Sequence, residues 1–270
     1  MNTPPETITS LSNKKIKNMV LLMRKQSERK AQGLMVVEGE KEIRQALTAK
    51  IEVDSVFICP EIAINTKLVE DCTNACPPDN LYYISKEVFA KVAYRDDSGG
   101  IIFLGRSRYL DLESVKLPAI PLIVILETVE KPGNLGAVLR TCDAAGVDLL
   151  IICDPETDIF NPNVIRSGIG CVFTQQVLAC SSDEAISWLK KNNITIYAAA
   201  LQTEKFYHEV DFTRPSAIVF GTEATGLTDK WREAADRIVK IPMLGTIDSL
   251  NVSNSVAVMV YEAKRQRGFK

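Results

Sequence analysis

The 270-residue chain has a single histidine, His208, and that scarcity removes the commonest catalytic machinery. A Ser–His or Cys–His nucleophile pair would have to be built around this one side chain, which reads more simply as a surface loop residue. A zinc site is short of ligands too. Cys72-x3-Cys76 offers two thiols, but no second Cys or His pair stands ready to complete it, so no metal is expected. No apolar run approaches the roughly 20 residues that span a bilayer, and residues 1–6 lack a basic n-region with an h-region behind it, so neither a membrane nor secretion is expected. Net charge is scarce as well: 32 Lys and Arg stand against 34 Asp and Glu, a balance of -2. Bulk electrostatics therefore announce no nucleic-acid partner, and any such partner must be met by local patches. Internal repeats and low-complexity segments are absent. The seven cysteines (59, 72, 76, 142, 153, 171 and 180) are odd in number, and Cys59, Cys153 and Cys180 sit in apolar strand-like runs. That is the usage of reduced thiols in a cytoplasmic protein.

Hydrophobic residues make up 46% of the chain, enough to build a large core. After a polar, proline-containing start, Ile16, Met19, Val20 and Met23 recur at helical spacing. The other face of that helix carries Lys14, Lys15, Lys17, Arg24 and Lys25, followed by Arg29 and Lys30. It is either a solvated face or one that meets backbone phosphates. Strands at 34–37, 54–59, 81–84 and 101–104 and helices at about 40–50 and 67–76 predict a small α/β unit. Pro118 and Pro121 break the pattern at 109–121. The expected division is a domain over 1–112, a linker over 113–121 and a second domain over 122–270. In the second domain, apolar strands at 122–126, 149–153, 194–200, 217–220 and 238–241 alternate with helices at 135–145, 183–191, 229–235 and about 254–267. Continuous apolar strands of this kind predict a parallel sheet covered on both faces.

Glycine-rich turns do not match the usual nucleotide sites. Lys131-Pro-Gly-Asn-Leu-Gly136 lacks the Gly-Lys-Ser/Thr ending of a phosphate loop, and Gly168-Ile-Gly170 lacks a third glycine. More telling is the clustering of small residues at strand ends: Ala199-Ala200-Leu201, Phe220-Gly221-Thr222 and Ile241-Pro242-Met243. Ligands of open α/β sheets sit outside the carboxyl ends of strands, where small residues let backbone amides come close. Ser249-Leu-Asn251-Val-Ser253-Asn254-Ser255 then forms a polar lead into the last helix, rich in capping side chains.

Three stretches occurring in order, Glu127-Thr-Val-Glu-Lys-Pro-Gly-Asn134-Leu-Gly-Ala-Val-Leu-Arg140-Thr141, Phe220-Gly-Thr-Glu223-Ala-Thr-Gly226-Leu227, and Ile241-Pro-Met243 with Ser249 to Ala257, resemble the three motifs of the SpoU (TrmH-like) RNA ribose methyltransferases. Leu34-Met-Val-Val-Glu38-Gly39 and Ser98-Gly99-Gly100-Ile101-Ile102 resemble the substrate-binding domain of the ribosomal-RNA members. The resemblance implies a C-terminal parallel-sheet α/β domain with a deep trefoil knot, preceded by a small α/β RNA-binding domain. It implies a homodimer that methylates a ribose 2′-hydroxyl with S-adenosylmethionine, on ribosomal RNA more than transfer RNA. The apolar face of Val256, Val258, Met259 and Tyr261 on the last helix is consistent with a second copy. By the same resemblance Leu201, Gly221, Ile241, Met243, Leu250, Asn251 and Ser253 hold the cofactor, while Arg140, Asn134, Glu223, Ser249 and Asn251 form the catalytic network. Lys14, Lys15, Arg24, Lys25 and Arg166, the last in a loop after Pro162, face RNA. Glu130-Lys131-Pro132 departs from the Asp-Pro common in the family, which bears on substrate identity. Guanidinium does not give up its proton in proteins, so Arg140 reads as a phosphate clamp and charge stabiliser ahead of a general base. Three alternatives stay open: a transfer-RNA methyltransferase, a non-catalytic RNA-binding assembly or resistance factor, and a small-molecule α/β enzyme, which would have no need of the basic helix at 14–30.

Overall fold

The computed structural model describes residues 7–94, 98–222 and 225–269. By its contacts the chain divides into two units, one of residues 7–108 with Phe160–Thr174 and the other of Tyr109–Ile159 with Gln175–Lys270.

The first unit runs β1 (Thr7–Ile8), α1 (Lys14–Arg24), α2 (Gln26–Gln32), β2 (Leu34–Glu38), α3 (Glu40–Thr48), β3 (Val53–Ile58), α4 (Thr66–Ala75), β4 (Leu81–Ile84), α5 (Lys86–Val92) and β5 (Ile101–Arg106). Its sheet has the order β1-β4-β3-β5-β2. β5 is antiparallel to both neighbours, whereas β1, β4 and β3 run parallel. Ile16, Met19 and Leu22 bury one face of α1 against Phe57, Ile84, Phe89 and Ile102. This leaves Lys14, Lys15, Lys17, Arg24 and Lys25 exposed on the other side. Arg29 does not share that face: it is 2% exposed and donates to the Leu22 carbonyl at 2.7 Å, closing the end of α1.

The second unit runs β6 (Leu122–Glu127), α6 (Pro132–Ala145), β7 (Leu149–Cys153), then, after an excursion into the first unit that includes α7 (Pro162–Ser167), β8 (Val177–Cys180), α8 (Ser182–Lys191), β9 (Thr195–Ala199), β10 (Ser216–Phe220), α9 (Asp229–Ala234), β11 (Arg237–Val239) and α10 (Val252–Gln266). The six strands are all parallel in the order β11-β9-β10-β6-β7-β8. Every residue of β6, β7 and β10 is buried, as a parallel sheet covered on both faces requires. Residues 109–121 pack onto this unit through Leu110, Leu112, Val115 and Leu117. α6 starts at Pro132, three residues before the helical pattern begins, because proline suits the first turn. It ends at Gly146 in the left-handed conformation (φ 63°). Arg267 fastens the chain end, donating to the carbonyls of Phe212, Ile120, Pro121 and Arg214 at 2.7–3.1 Å.

Candidate active site

At the carboxyl ends of β9, β10 and β11 the sheet opens into a cavity of about 260 Å³. Ala199, Ala200 and Leu201 come from β9 and its exit, Phe220, Gly221 and Thr222 from β10, and Val239 to Ile241 from β11. Met243, Ser249, Leu250 and Val252 close it from the segment leading into α10. The residue type at Gly221 is dictated by space. A Cβ there would lie 2.1 Å from the Gly226 carbonyl carbon and 2.3 Å from the Leu227 nitrogen. The loop comes this close because Thr222 and Gly226 exchange backbone hydrogen bonds at 3.1–3.2 Å.

A second cavity of about 80 Å³ lies where β6 and β10 adjoin, lined by residues 126–131, Asn134, Gly221, Thr222 and Val252. Strand order reverses there, with β7 and β8 to one side of β6 and β10, β9 and β11 to the other, so this is the crevice in which doubly wound sheets bind ligands. The two cavities share Gly221, Thr222 and Val252. Thr128 bends the chain away from β6 at φ 51°, a costly conformation for a β-branched residue. Its N–H donates to the Cys153 carbonyl at 2.9 Å.

Asn251 is the N-cap of α10. Its side-chain oxygen accepts from the Ser253 N–H at 3.0 Å and the Ser253 hydroxyl at 2.6 Å, and its amide nitrogen donates to the Asn134 oxygen at 3.2 Å. Two asparagines from different motifs thus join the first turns of α6 and α10 beside the cavities. Glu127 does comparable work in a buried position, accepting from the Thr228 N–H at 2.9 Å and its hydroxyl at 2.6 Å. That pins the far end of the loop carrying Gly226 and Leu227.

Of the expected site residues, Leu201, Gly221, Ile241, Met243, Ser249 and Leu250 line the larger cavity, and Asn134 lines the smaller. Asn251 and Ser253 stand at the mouth of α10 and line neither. Arg140 is exposed on α6, six residues past Asn134, and lines neither cavity. Glu223 lies outside the described residues. Arg166 is corrected in two respects. It sits in α7, not in a loop, and it belongs to the first unit. Its guanidinium lies 3.8 Å from the Tyr94 ring centroid and donates to Asn163 at 3.2 Å, so its cation is already engaged. Lys15 is likewise held, at 2.6 Å from the Tyr82 hydroxyl. Sequence reading missed Thr128, Arg232 and Lys240. Arg232 and Lys240 line the larger cavity. Arg232 donates to the Leu227 carbonyl at 2.8 Å and pairs with Asp229; Lys240 pairs with Glu204 at 3.6 Å. For Thr128 and Lys240 the place just past a strand end was the available signal; Arg232, inside α9, had none.

Comparison with known proteins places both parts of the chain in known families. The model of the SpoU rRNA Methylase family matches residues 121–261, and that of the MRM3-like substrate binding domain matches residues 13–102. Over 149 residues the chain is 42% identical to the tRNA (guanosine(18)-2′-O)-methyltransferase of Thermus thermophilus, covering 54% of this chain and 75% of that protein. It is 27% identical to the 23S rRNA (guanosine(2553)-2′-O)-methyltransferase RlmP of Bacillus subtilis, over 95% of this chain and 98% of that one. A crystal structure of an RNA 2′-O ribose methyltransferase superimposes with a TM-score of 0.82 and 36% identity, covering 97% of this chain and 99% of the other.

Proposed function

The chain belongs to the SpoU rRNA methylase family, and from that premise we propose that it transfers a methyl group from S-adenosylmethionine to a ribose 2′-hydroxyl of ribosomal RNA. One observation carries this reading: a larger and a smaller cavity share a wall at the strand ends, and paired asparagines join the helices beside them. That is the layout needed to align a donor with an acceptor hydroxyl.

In this reading the larger cavity holds the cofactor. Its volume is close to the roughly 300 Å³ at which small-molecule sites begin. Leu227, Val239 and Val252 give it apolar walls, and the missing side chain at Gly221 lets the Gly226–Leu227 backbone close against the strand end as part of the wall. Such a surface suits a purine ring held by main-chain groups. The deep trefoil knot belongs to the same reading, supported by three strand-end loops meeting around one cavity.

Bound S-adenosylmethionine supplies a methyl group made electrophilic by its sulfonium. The chain supplies alignment. Asn134 and Asn251 hold one another and so fix the first turns of α6 and α10 on the acceptor side. Arg140, exposed and cationic, clamps the neighbouring phosphate and stabilises charge as the 2′-hydroxyl loses its proton. Glu223, Ser249 and Ser253 complete the polar set. Lys14, Lys17, Arg24 and Lys25 on α1 and its exit neutralise RNA phosphates; Lys15 and Arg166 do so only by leaving Tyr82 and Tyr94. The protein acts in the cytoplasm as a homodimer, a reading supported by Leu244 (99% exposed), Ile247 (62%) and Tyr261 (45%), large apolar side chains left bare around the cavity and on α10.

Ribosomal RNA is preferred because the relative matched over nearly its full length acts on it. Transfer RNA is the second reading, favoured by the 42% identity over 149 residues to a tRNA enzyme. The test is tritiated methyl transfer to unmethylated ribosomal RNA and bulk transfer RNA by wild type and Arg140→Ala, with calorimetric cofactor binding on the same preparations. Cofactor affinity is expected to hold in Arg140→Ala while labelling of ribosomal RNA falls about 100-fold. Cofactor binding with no labelling of either RNA would favour a non-catalytic RNA-binding role.

A further inference from the structure

Across the carboxyl edge of the second sheet, Glu127, Cys153 and Cys180 stand in one row on β6, β7 and β8, each the register partner of the next. Neither thiol has a part in methyl transfer. Cys153 is fully buried, whereas Cys180 is only half-buried, and both belong to the same apolar cluster. Neighbouring strands run about 4.8 Å apart, inside the roughly 4.4–6.8 Å window of Cα separations that a disulfide spans. We propose that Cys153 and Cys180 form an oxidisable dithiol, closed to a disulfide by a small disulfide of the glutathione class, and that closure loosens the loops of both cavities.

The two sulfurs are unequal, which gives each a role. The contact with Cys180 together with burial drives the Cys153 thiol pKa up, and Cys153 is the fully buried sulfur of the two. The same contact lowers the Cys180 pKa, against burial and the nearby Glu184 and Asp154 carboxylates. Cys180 is therefore the attacking thiolate. It displaces one half of the small disulfide as a thiolate and forms a mixed disulfide. Cys153 then gives up its proton and attacks Cys180 Sγ, expelling the second half. Two protein thiols are oxidised, and one external disulfide is reduced to two thiols. A bridge between adjacent parallel strands departs from the preferred Cβ separation of about 3.8 Å, which makes it easily reduced.

The row has a direct route to both cavities. The carbonyl of Cys153 receives the Thr128 N–H at the start of the smaller cavity. Its register partner Glu127 holds Thr228, next to Leu227 in the wall of the larger one. Drawing Cys153 toward Cys180 pulls on both anchors.

The full-length protein, with no variant that removes a binding residue, supports the test. Wild type, Cys180→Ser and Cys153→Ala are incubated with glutathione disulfide. The products are mapped by non-reducing peptide mass spectrometry, and cofactor affinity and methyl transfer are measured before and after dithiothreitol. The expected result is a Cys153–Cys180 cross-linked peptide in wild type. Cofactor affinity should fall about five- to tenfold and recover on reduction, with both variants insensitive. Cys72 and Cys76 are an internal control, since burial pushes the Cys72 thiol up to about 12. A bridge mapped to Cys72–Cys76, a mixed disulfide at Cys180 that Cys153 never resolves, or equal loss of affinity in wild type and Cys180→Ser would each overturn the proposal. The peptide map does not depend on methyl transfer, so its failure is separable from failure of the methyltransferase reading.

Discussion

The two halves of the second sheet finish their strands in opposite ways. Past β9, β10 and β11 the chain offers alanines, a glycine and bare backbone, and the strand ends gape into a cavity. Past β6, β7 and β8 polar side chains tie the exits down: Glu127 reaches Thr228 at the edge of the smaller cavity, Asp154 reaches Ser182 at 2.6 Å, and Ser181 caps α8 in a reciprocal box with Glu184. The Ser182 hydroxyl goes on to accept from the buried Trp231 indole at 2.9 Å. One fold thus uses the same edge twice. Where space must remain, side chains are deleted. Where the edge must be shut, carboxylates and hydroxyls are spent on satisfying backbone donors that burial would otherwise orphan.

Substitutions on either side test that division. The largest effect is expected from Gly221→Ala. Its new Cβ has backbone, not a flexible side chain, as its neighbour, so the loop must move and cofactor affinity by calorimetry should fall at least about 100-fold. Glu127→Ala comes next, on the sealed side. It strands the Thr228 N–H and hydroxyl and should lower unfolding free energy in urea by about 2–3 kcal/mol, with a weaker loss of cofactor affinity. A Glu127→Ala protein as stable as wild type would break the comparison. Asn134→Ala leaves the sealed edge alone and removes the tie to Asn251; kcat should drop about tenfold or more while cofactor Kd moves little. The smallest effect belongs to Ser181→Ala. The Ser181 hydroxyl and N–H hold the Glu184 carboxyl below its usual range, so that group stabilises the fold above the ordinary glutamate value and ceases to as pH falls through its lowered one. The Tm gap between wild type and Ser181→Ala should be small at neutral pH and narrow in acid to what the Ser181 cap on the Glu184 N–H alone supplies.

The sequence made the long apolar strands legible, since β4 and β7 begin and end where their runs do, at Leu81–Ile84 and Leu149–Cys153. It hid the short elements. α7 and α5 are six and seven residues long, too few for a helical period to repeat, and β1 has only two residues. β8 was noticed only as the strand-like run around Cys180 and left out of the strand series, because four residues after paired glutamines carry no turn signal of their own. At the site, Asn251 was readable as a cap, and Gly221 and Leu201 as strand-end residues. Arg140 was not readable from pattern, because six residues after Asn134 does not return to the same helix face; only the resemblance singles it out. Arg166 was misplaced for a different reason. Its partner Tyr94 is far away in sequence, and nothing local tells a free arginine from one laid on an aromatic ring.

Between β7 and β8 the chain leaves its own unit and contributes Phe160–Thr174 to the other. Phe160, Val164, Ile165 and Val172 are buried there. The first unit is therefore complete only when residue 174 has been made, long after its last strand at Arg106. On a ribosome adding roughly 5–20 residues each second, the amino-terminal sheet waits several seconds for its final piece. Over that interval β6, α6 and β7 of the second unit have already been made, so neither unit is finished before the other has begun.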